Sequence, residues 1–219
     1  MQYNVEVEIL TTNQQSLLKA FGSTNISKYF YLTGGTALAA FYLHHRYSED
    51  LDFFTSEKQN IEQLRNEITQ VLHFPNSKLE VVRSFETFIE ARLTMNDGEV
   101  IKMDFAYDSP FRHQPTILSE TYHIAIDNLL DIGCNKISAL FDRAETKDFV
   151  DVYFLLKGKF SFNELFEKAK QKHVGLDEYW FTHALKKVLK VSTLPRMVKQ
   201  VSIQELQKFF IQLYDEIAE

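Results

Sequence analysis

Asp50 and Asp52 are the residues of this chain whose types and spacing point most directly to chemistry. In an extended segment, residues two positions apart project from the same face, so the two carboxylates would lie side by side. At about 4 Å and an effective dielectric constant of about 20, two such charges repel each other by roughly 4 kcal/mol. A divalent cation is the natural counter-charge for such a pair. The aspartate pair therefore predicts a metal site.

A glycine turn precedes this pair and begins a segment with helical character. Gly34, Gly35 and Thr36 follow a short apolar run at 29–32 and lead into an apolar stretch at 36–44. Glycine lets the backbone approach a phosphate closely, and a helix start offers free N–H groups. A Gly-Gly-Thr sequence alone is often only a turn. The succession of strand, turn, helix and Asp-x-Asp strand predicts a combined phosphate and metal site.

A third carboxylate, that of Asp104, interrupts the apolar pattern of the β-like segment 101–105. One interpretation is an aspartate that faces solvent at a strand end. The other, which we favour, is a third metal ligand and a candidate base for an attacking hydroxyl. Arg46 and Ser48 could orient the aspartates or a phosphate, although Arg46 could also pair with Glu49 in the loop.

Composition favours an ordinary globular protein. The chain has 219 residues, of which 45% are hydrophobic and 25% charged, enough for one large domain or two small ones. The net charge of -6 gives no global basic field for nucleic acid. An RNA substrate would need a local patch, although such charge runs are more often a solvated helix face. The candidates for that patch are Lys186, Lys187, Lys190, Arg196 and Lys199.

Cysteine usage and hydropathy together predict a cytoplasmic location. The single cysteine, Cys134, excludes an intrachain disulfide. The polar, acidic N-terminus carries no signal peptide, and no apolar run reaches the length of a membrane span, so no membrane partner is expected.

Periodicity predicts an α/β first half and a helical second half. Helical spacing occurs at 12–23, 36–44, 61–72, 129–143, 147–156, 163–172, 177–190 and 203–217. Strand-like runs occur at 29–32, 50–54, 79–83, 87–94 and 99–107, with a hairpin turn at 96–98. A soft boundary lies near 110–125.

Three segments together resemble the nucleotidyltransferase superfamily and, within it, the AbiEii/AbiGii-type toxins of abortive-infection and toxin–antitoxin systems. They are 32–38 with 46–54, the strand around Asp104, and 136–153. The resemblance covers roughly residues 30 to 157. It implies an α/β (α+β) nucleotidyltransferase-like core with a mixed sheet at 1–115, followed by a mainly α-helical C-terminal lobe at 116–219.

The third segment carries the cations of the family pattern. Lys136 and Arg143 fit its lysine and arginine, whereas Lys147 stands where the family usually has arginine, so a bidentate fork is lost there. Lys136 and Arg143 are seven residues apart and share a helical face. From that face they could neutralise charge on a triphosphate.

Two aspartates complete this segment. Asp148 and Asp151 fit the family pattern, and the resemblance gives them a part in nucleotide binding. An alternative remains open, in which they complement the dipole of a helix that begins after an N-cap at Thr146.

The resemblance implies an enzyme that uses Mg²⁺ (or Mn²⁺) and moves an NMP from an NTP to an acceptor hydroxyl. The acceptor would be a tRNA 3′ end or a protein, and a cognate antitoxin would check the toxin in a phage-defence system. The predicted metal ligands are Asp50, Asp52 and Asp104, and Lys136 would steady the charge that develops. The predicted nucleotide-binding residues are Gly34, Gly35, Thr36, Arg46, Ser48, Arg143, Asp148 and Asp151.

Two other functions remain open. One is transfer of a nucleotide to a small, antibiotic-like molecule, which the acidic net charge of -6 slightly favours over transfer to a large RNA. A non-catalytic nucleotide-binding regulatory module is the second alternative, and the mutually repelling carboxylates argue against it.

Overall fold

A computed structural model describes residues 8–218 of the chain. The N-terminal residues for which we predict no signal peptide lie almost entirely outside this range, as does Glu219. The described residues divide into two compact units. One contains 8–40 and 48–128, and the other contains Phe41–Tyr47 and 129–218. Across 8–218, none of the helices is both long and apolar enough to span a bilayer.

The first unit is built on a seven-stranded sheet of order β3-β4-β5-β2-β1-β7-β6. β1 pairs in parallel with β7 and β2 in parallel with β5, whereas the other neighbours are antiparallel. The mixed sheet that we predicted is therefore confirmed. The strands are β1 Tyr31–Thr33, β2 Leu51–Thr55, β3 Lys78–Phe85, β4 Phe88–Thr94, β5 Val100–Tyr107, β6 Ile117–Ser119 and β7 Ile124–Ile126.

The helices of the first unit follow their apolar spacing. The apolar residues of α3 that are buried lie three and four positions apart, at Ile61, Leu64 and Ile68. α1 begins with a capping box in which Thr11 and Gln14 satisfy each other's backbone N–H groups. The elements are α1 Thr12–Gly22, a 3₁₀ turn Ser27–Tyr29, α2 Gly34–Leu38 with a π-helical turn Ala39–Leu43, and α3 Gln59–Val71.

Aromatic packing fixes which face of the sheet each strand residue occupies. Phe53 on β2 and Phe105 on β5 are fully buried, and their rings stack at 5.0 Å between centroids. Phe21 from α1 packs on both rings. Because side chains alternate along a strand, the residues beside each phenylalanine must point to the opposite, half-exposed face.

The second unit is helical. Its elements are α4 Leu129–Asp142, α5 Thr146–Gly158, α6 Phe162–Lys172, α7 Glu178–Leu185, a 3₁₀ turn Lys186–Lys190, and α8 Ile203–Ala218. Backbone hydrogen bonds tie the segment Phe41–Tyr47 to this unit: the Tyr47 N–H donates to the Arg196 carbonyl (2.8 Å) and the Val198 N–H to the His45 carbonyl (2.9 Å).

The structure extends the sheet beyond the predicted first lobe. β6 and β7 lie after residue 115, in a stretch that we expected to be a boundary, and the first unit continues to Asn128. Strands of three residues are too short to show the alternation on which our prediction relied. The predicted helix at 177–190 also changes to a 3₁₀ turn after Leu185.

Candidate functional site

Asp52 and Asp104 lie directly opposite each other as Cα partners on the parallel strands β2 and β5. Neighbouring strands are about 4.8 Å apart, so both side chains leave the same face at that spacing. The burial of Phe53 and Phe105 on the other face holds this arrangement, because a slip by one residue would move the carboxylates into the core. The sheet therefore brings together two of the three predicted metal ligands.

A buried glutamate extends this row of carboxylates by one strand. Glu90 on β4 is the Cα partner of Asp104 and is 5% exposed. Its oxygens pair with Arg92 at 3.0 Å and with Arg83 at 3.5 Å. Like charges directly opposite each other destabilise a sheet, so these two cations offset part of the repulsion along the row.

Lys102 is the counter-charge of Asp104. Its Nζ lies 2.5 Å from Asp104 Oδ2, on the same face two residues earlier. Burial lowers the pKa of Lys102, but Asp104, together with the charges of Asp50 and Asp52, outweighs this effect and raises the pKa above its usual value. Sequence reasoning missed Lys102, although its position two residues before Asp104 was a usable signal.

Asp104 keeps one carboxylate oxygen uncommitted. Burial raises the pKa of Asp104 above its usual value, with Lys102 opposing the shift and Glu90 and Asp50 adding to it. Its Oδ1 is buried and has no hydrogen-bond partner within 8–218. An acceptor atom in that state is costly unless a ligand atom, a cation or a proton satisfies it.

Gly34 packs its backbone against the carboxylate of Asp52. Its φ is +72°, a conformation that L side chains rarely adopt, and a Cβ at this position would overlap Asp52 Oδ2. Glycine is therefore required here for two separate reasons. The predicted glycine turn and the aspartate pair are in direct contact.

Two side chains brace the loop that leads into Asp50. The buried Thr36 hydroxyl donates to the Asp50 carbonyl. The Gln14 amide donates to the carbonyls of Glu49 (2.9 Å) and Ser48 (3.3 Å). Thr36 and Gln14 thus position Asp50 at the start of β2, and sequence reasoning missed Gln14.

In the second unit, Asp151 is the centre of a buried ion cluster. Its carboxylate receives a fork from Arg46 (Nε–Oδ1 2.6 Å, Nη2–Oδ2 2.9 Å) and the Lys136 ammonium (Nζ–Oδ2 2.8 Å). Burial raises the pKa of Asp151, but Lys136 and Arg46 outweigh it and hold the pKa well below its usual range. Asp151 therefore fixes the positions of Arg46 and Lys136, two of the predicted site residues. These buried ion pairs are a different role from the alternative in which Asp151 only complements the dipole of α5.

His45 is the fourth member of this cluster. Its Nε2 lies 2.7 Å from Asp151 Oδ1, and burial, against the pull of Asp151, lowers the pKa of His45. Its Nδ1 is buried, and no group within residues 8–218 hydrogen-bonds to it. A neutral ring that donates from Nε2 to Asp151 would leave only an acceptor at Nδ1 unsatisfied, which agrees with the lowered pKa.

Asp148 forms a separate ion pair with Arg143. The guanidinium makes a fork to the carboxylate with both distances at 2.8 Å. Asp148 also completes a capping box with Glu145, which is the N-cap of α5. The predicted N-cap at Thr146 is therefore wrong by one residue. Lys147 pairs with Glu145 at 3.3 Å.

The predicted site residues thus form three local groups. In the first unit, Gly34 and Asp104 both lie next to Asp52, and Thr36 holds the carbonyl of Asp50 two residues earlier. The second unit contains the Asp151 cluster and, separately, the Arg143–Asp148 pair. In the part of the chain that the structure describes, no three His, Cys, Asp or Glu side chains form a group that could hold a metal ion. Mg²⁺ usually takes only one or two carboxylates and completes its shell with water and substrate phosphates. Asp52 and the uncommitted Asp104 Oδ1 fit such a donor set.

Both sequence and fold are similar to those of known proteins. The family model for the nucleotidyl transferase AbiEii toxin of type IV toxin–antitoxin systems matches residues 16–217. An uncharacterised protein of Aquifex aeolicus (strain VF5) is 32% identical over 170 residues, which are 77% of this chain and 78% of the relative.

Solved structures share the fold. JHP933 from Helicobacter pylori superposes with a TM-score of 0.58 at 21% identity, over 94% of this chain and 92% of that one. MenT4, a nucleotidyltransferase toxin from Mycobacterium tuberculosis H37Rv, superposes with a TM-score of 0.58 at 14% identity, over 94% of this chain and 82% of that one.

Proposed function

The chain belongs to the AbiEii family of nucleotidyl transferase toxins, and we propose that it moves the NMP of an NTP to an acceptor hydroxyl with the help of a divalent cation. The observation that carries this proposal is the register pairing of Asp52 with Asp104 on one half-exposed face, with the Gly34 backbone against Asp52. This arrangement places two carboxylates and a side-chain-free stretch of backbone together, as a metal–phosphate site requires.

For Asp50 a role as third metal ligand stays a prediction, whereas Asp52 and Asp104 would hold Mg²⁺ or Mn²⁺ as a pair of carboxylates. Such a cation offsets the carboxylate repulsion and polarises the phosphate that is attacked. Gly34 would let the Asp52 carboxylate lie against the backbone of the turn, and Thr36 would keep Asp50 in place through its carbonyl. Phosphate binding at the turn 34–36 stays a prediction.

Asp104 would act as the base. Its pKa is raised above the usual value, first by burial, which suits a carboxylate that takes up a proton. The acceptor oxygen would attack the α-phosphorus as its proton passes to Asp104. The bond between the α-phosphorus and the bridging oxygen would break, and pyrophosphate would leave.

The residues of the second unit are proposed as supporting groups. Asp151 would hold Lys136 and Arg46 in fixed positions, and Asp148 would do the same for Arg143. Roles for these residues and for Gly35 and Ser48 in nucleotide binding stay predictions. We expect Lys136→Ala to weaken NTP use more than metal binding, and equal NTP use by this variant and the parent would remove Lys136 from the site.

For the acceptor we propose a tRNA 3′ end or a protein hydroxyl, and for the partner a cognate antitoxin. The type IV toxin–antitoxin description of the family supports the antitoxin. The family also supports an NTP as substrate. A cytoplasmic location and a part in phage defence stay predictions.

The test is incubation with each of the four α-labelled NTPs, Mg²⁺ or Mn²⁺, and total bacterial tRNA. Asp52→Asn is the inactive variant, and Asp215→Asn, at an exposed position on α8, is the matched control. Label that enters RNA or protein with the parent and the control, but not with Asp52→Asn, would support the proposal and name the acceptor class. In a parallel reaction with an added aminoglycoside, label on that compound alone would favour a small-molecule acceptor. An absence of transfer under all these conditions would contradict the proposal.

A further inference from the structure

Helix α7 presents three aromatic side chains to solvent. Tyr179 is 65% and Trp180 61% exposed, and His183 is exposed beside them. The three rings contact one another, with centroids between 5.0 and 5.4 Å apart. Large aromatic rings grouped in this way on a surface usually mark a binding site. Trp180 is also the single tryptophan of the chain.

Lysines follow these rings along the chain. Lys186, Lys187 and Lys190 are all exposed on the 3₁₀ turn after α7. Lys187 lines a cavity of about 260 Å³ together with Trp180 and His183. Lys187 therefore puts positive charge beside the rings, and Lys186 and Lys190 follow on the same turn. We call the six residues Tyr179, Trp180, His183, Lys186, Lys187 and Lys190 the α7 surface.

A second, larger cavity is also lined by His183. It measures about 580 Å³ and is lined by Tyr179, His183 and Tyr214 among others. The Lys186 ammonium lies 4.1 Å from the centroid of the Tyr214 ring. Glu178 is the acidic residue in this lining and could accept from an amino group. The cavity volume of about 580 Å³ is in the range of sites that bind small ligands.

We infer that the α7 surface binds single-stranded RNA, with bases stacked on Trp180 and Tyr179 and phosphates paired with Lys187 and Lys190. Exposed rings interleaved with lysines form the usual platform for single strands, because every base has a face that can stack. The chain has a net charge of -6, so a local basic group must supply the attraction to phosphate. This inference rests on the proposed function, because the bound RNA would be the acceptor of the transferred NMP.

The three lysines decide between RNA and a protein partner as the occupant. A partner helix would be better matched by a groove of uncharged aliphatic residues, whereas an exposed lysine beside a ring suits a phosphate next to a stacked base. The charge on this surface complements a nucleic-acid backbone.

The test uses Trp180 as its own reporter. A single-stranded oligoribonucleotide of twelve adenosines is titrated into the protein without NTP while tryptophan emission is followed, and a duplex RNA serves as the control probe. Stacking should quench the emission with the single strand and have little effect with the duplex, whose bases are already paired. Unchanged emission with the single strand overturns the inference.

Variants give a second measurement with a labelled oligonucleotide and fluorescence anisotropy. Trp180→Ala should weaken binding by roughly 5- to 150-fold, the range for loss of one stacked base. Lys187→Gln with Lys190→Gln should reduce the slope of log affinity against log salt by about 1.4 for two lost contacts. The control is Lys28→Gln with Tyr29→Ala, an exposed lysine–aromatic pair in the first unit, and it should bind as the parent does. Equal binding by Trp180→Ala and the parent overturns the inference.

The same experiments separate this inference from the proposed function. RNA binding without any nucleotide transfer would support the α7 surface and count against the proposed function. An emission shift to shorter wavelength on raising the protein concentration, with a doubled mass in light scattering, would mean that a second copy covers the surface, and would overturn the inference.

Discussion

Asp52 and Asp104 are register partners on adjacent parallel strands, and the Phe53–Phe105 stack on the opposite face of the sheet holds them there. The same packing that stabilises the core thus forces two carboxylates to the spacing of neighbouring strands. Lys102 offsets part of their repulsion, and Asp104 Oδ1 stays buried without a hydrogen-bond partner in the described chain. The folded sheet consequently holds two carboxylates in mutual repulsion, and a bound cation would reduce that repulsion.

Asp52→Asn should abolish nucleotide transfer while leaving the fold intact. The substitution keeps the shape of the side chain but removes a charge that faces Asp104, so thermal stability should be unchanged or higher. Two such charges at about 5 Å and an effective dielectric constant of about 20 repel by roughly 3 kcal/mol before counter-charges are included. Transfer assays and thermal unfolding of the variant and of Asp215→Asn check this. A variant that unfolds at a much lower temperature would instead make Asp52 structural.

Gly34→Ala should lower both stability and activity. The new Cβ meets the Asp52 carboxylate, and the left-handed φ of +72° is strained for alanine. We expect a loss of more than about 1 kcal/mol in unfolding free energy, measured by urea unfolding, together with reduced transfer. Gly158→Ala is the matched control, because a Cβ at that helical position meets nothing within 4 Å. An unchanged unfolding midpoint for Gly34→Ala would contradict the close approach.

Lys102→Met should make the protein more dependent on divalent cations. Loss of the ammonium 2.5 Å from Asp104 leaves the carboxylates without their main counter-charge. Mg²⁺ or Mn²⁺ should therefore raise the melting temperature of this variant more than that of the parent, and EDTA should lower it again. Lys78→Met on β3 is the control, since it changes an exposed lysine. The same metal-induced shift in Lys102→Met as in the parent would show that Lys102 does not balance this site.

Asp151→Asn should destabilise the second unit and flatten its response to acid. Removal of the charge leaves Lys136 and Arg46 without their buried partner, which costs about 3–5 kcal/mol. The pKa of Asp151 is lower in the folded state than in the unfolded state. Its stabilisation is thus fully present above the unfolded value of about 3.9 and is lost as the pH falls through the folded value.

Urea unfolding of the parent and the variant between neutral and strongly acidic pH measures this effect. The parent should lose more stability on acidification than Asp151→Asn does. Parallel curves would mean that the Asp151 carboxylate does not contribute through its charge.

Much of the site could be predicted from residue types and spacing. The Asp-x-Asp pair and the glycine turn are visible as residue types in a set order along the chain, and Asp104 is visible because it interrupts an apolar pattern. The α/β first half and the helical second half followed from the change of period near the middle of the chain, and the mixed sheet was implied by the family resemblance. The family resemblance was confirmed by the family match over residues 16–217.

The features that could not be predicted depend on contacts between residues far apart in the chain, which no local sequence pattern shows. The contacts of Gln14 with the 48–49 loop and of Arg46 with Asp151 join residues 34 and 105 positions apart. The short strands β6 and β7 are stabilised by their sheet neighbours rather than by their own alternation. Sequence spacing likewise placed Lys136 and Arg143 on one helical face but did not show that each pairs with an aspartate of α5.

The most direct test of the account is Mn²⁺ binding followed by electron paramagnetic resonance, in the presence of an NTP analogue with a non-cleavable α,β-bridge. The parent and the control Asp215→Asn should bind Mn²⁺ in a manner that depends on the nucleotide. Asp104→Asn should bind it at least about tenfold more weakly, because the carboxylate that keeps an uncommitted oxygen is gone. Equal Mn²⁺ binding by the parent and Asp104→Asn would contradict the assignment of the Asp52–Asp104 row as the metal–nucleotide site.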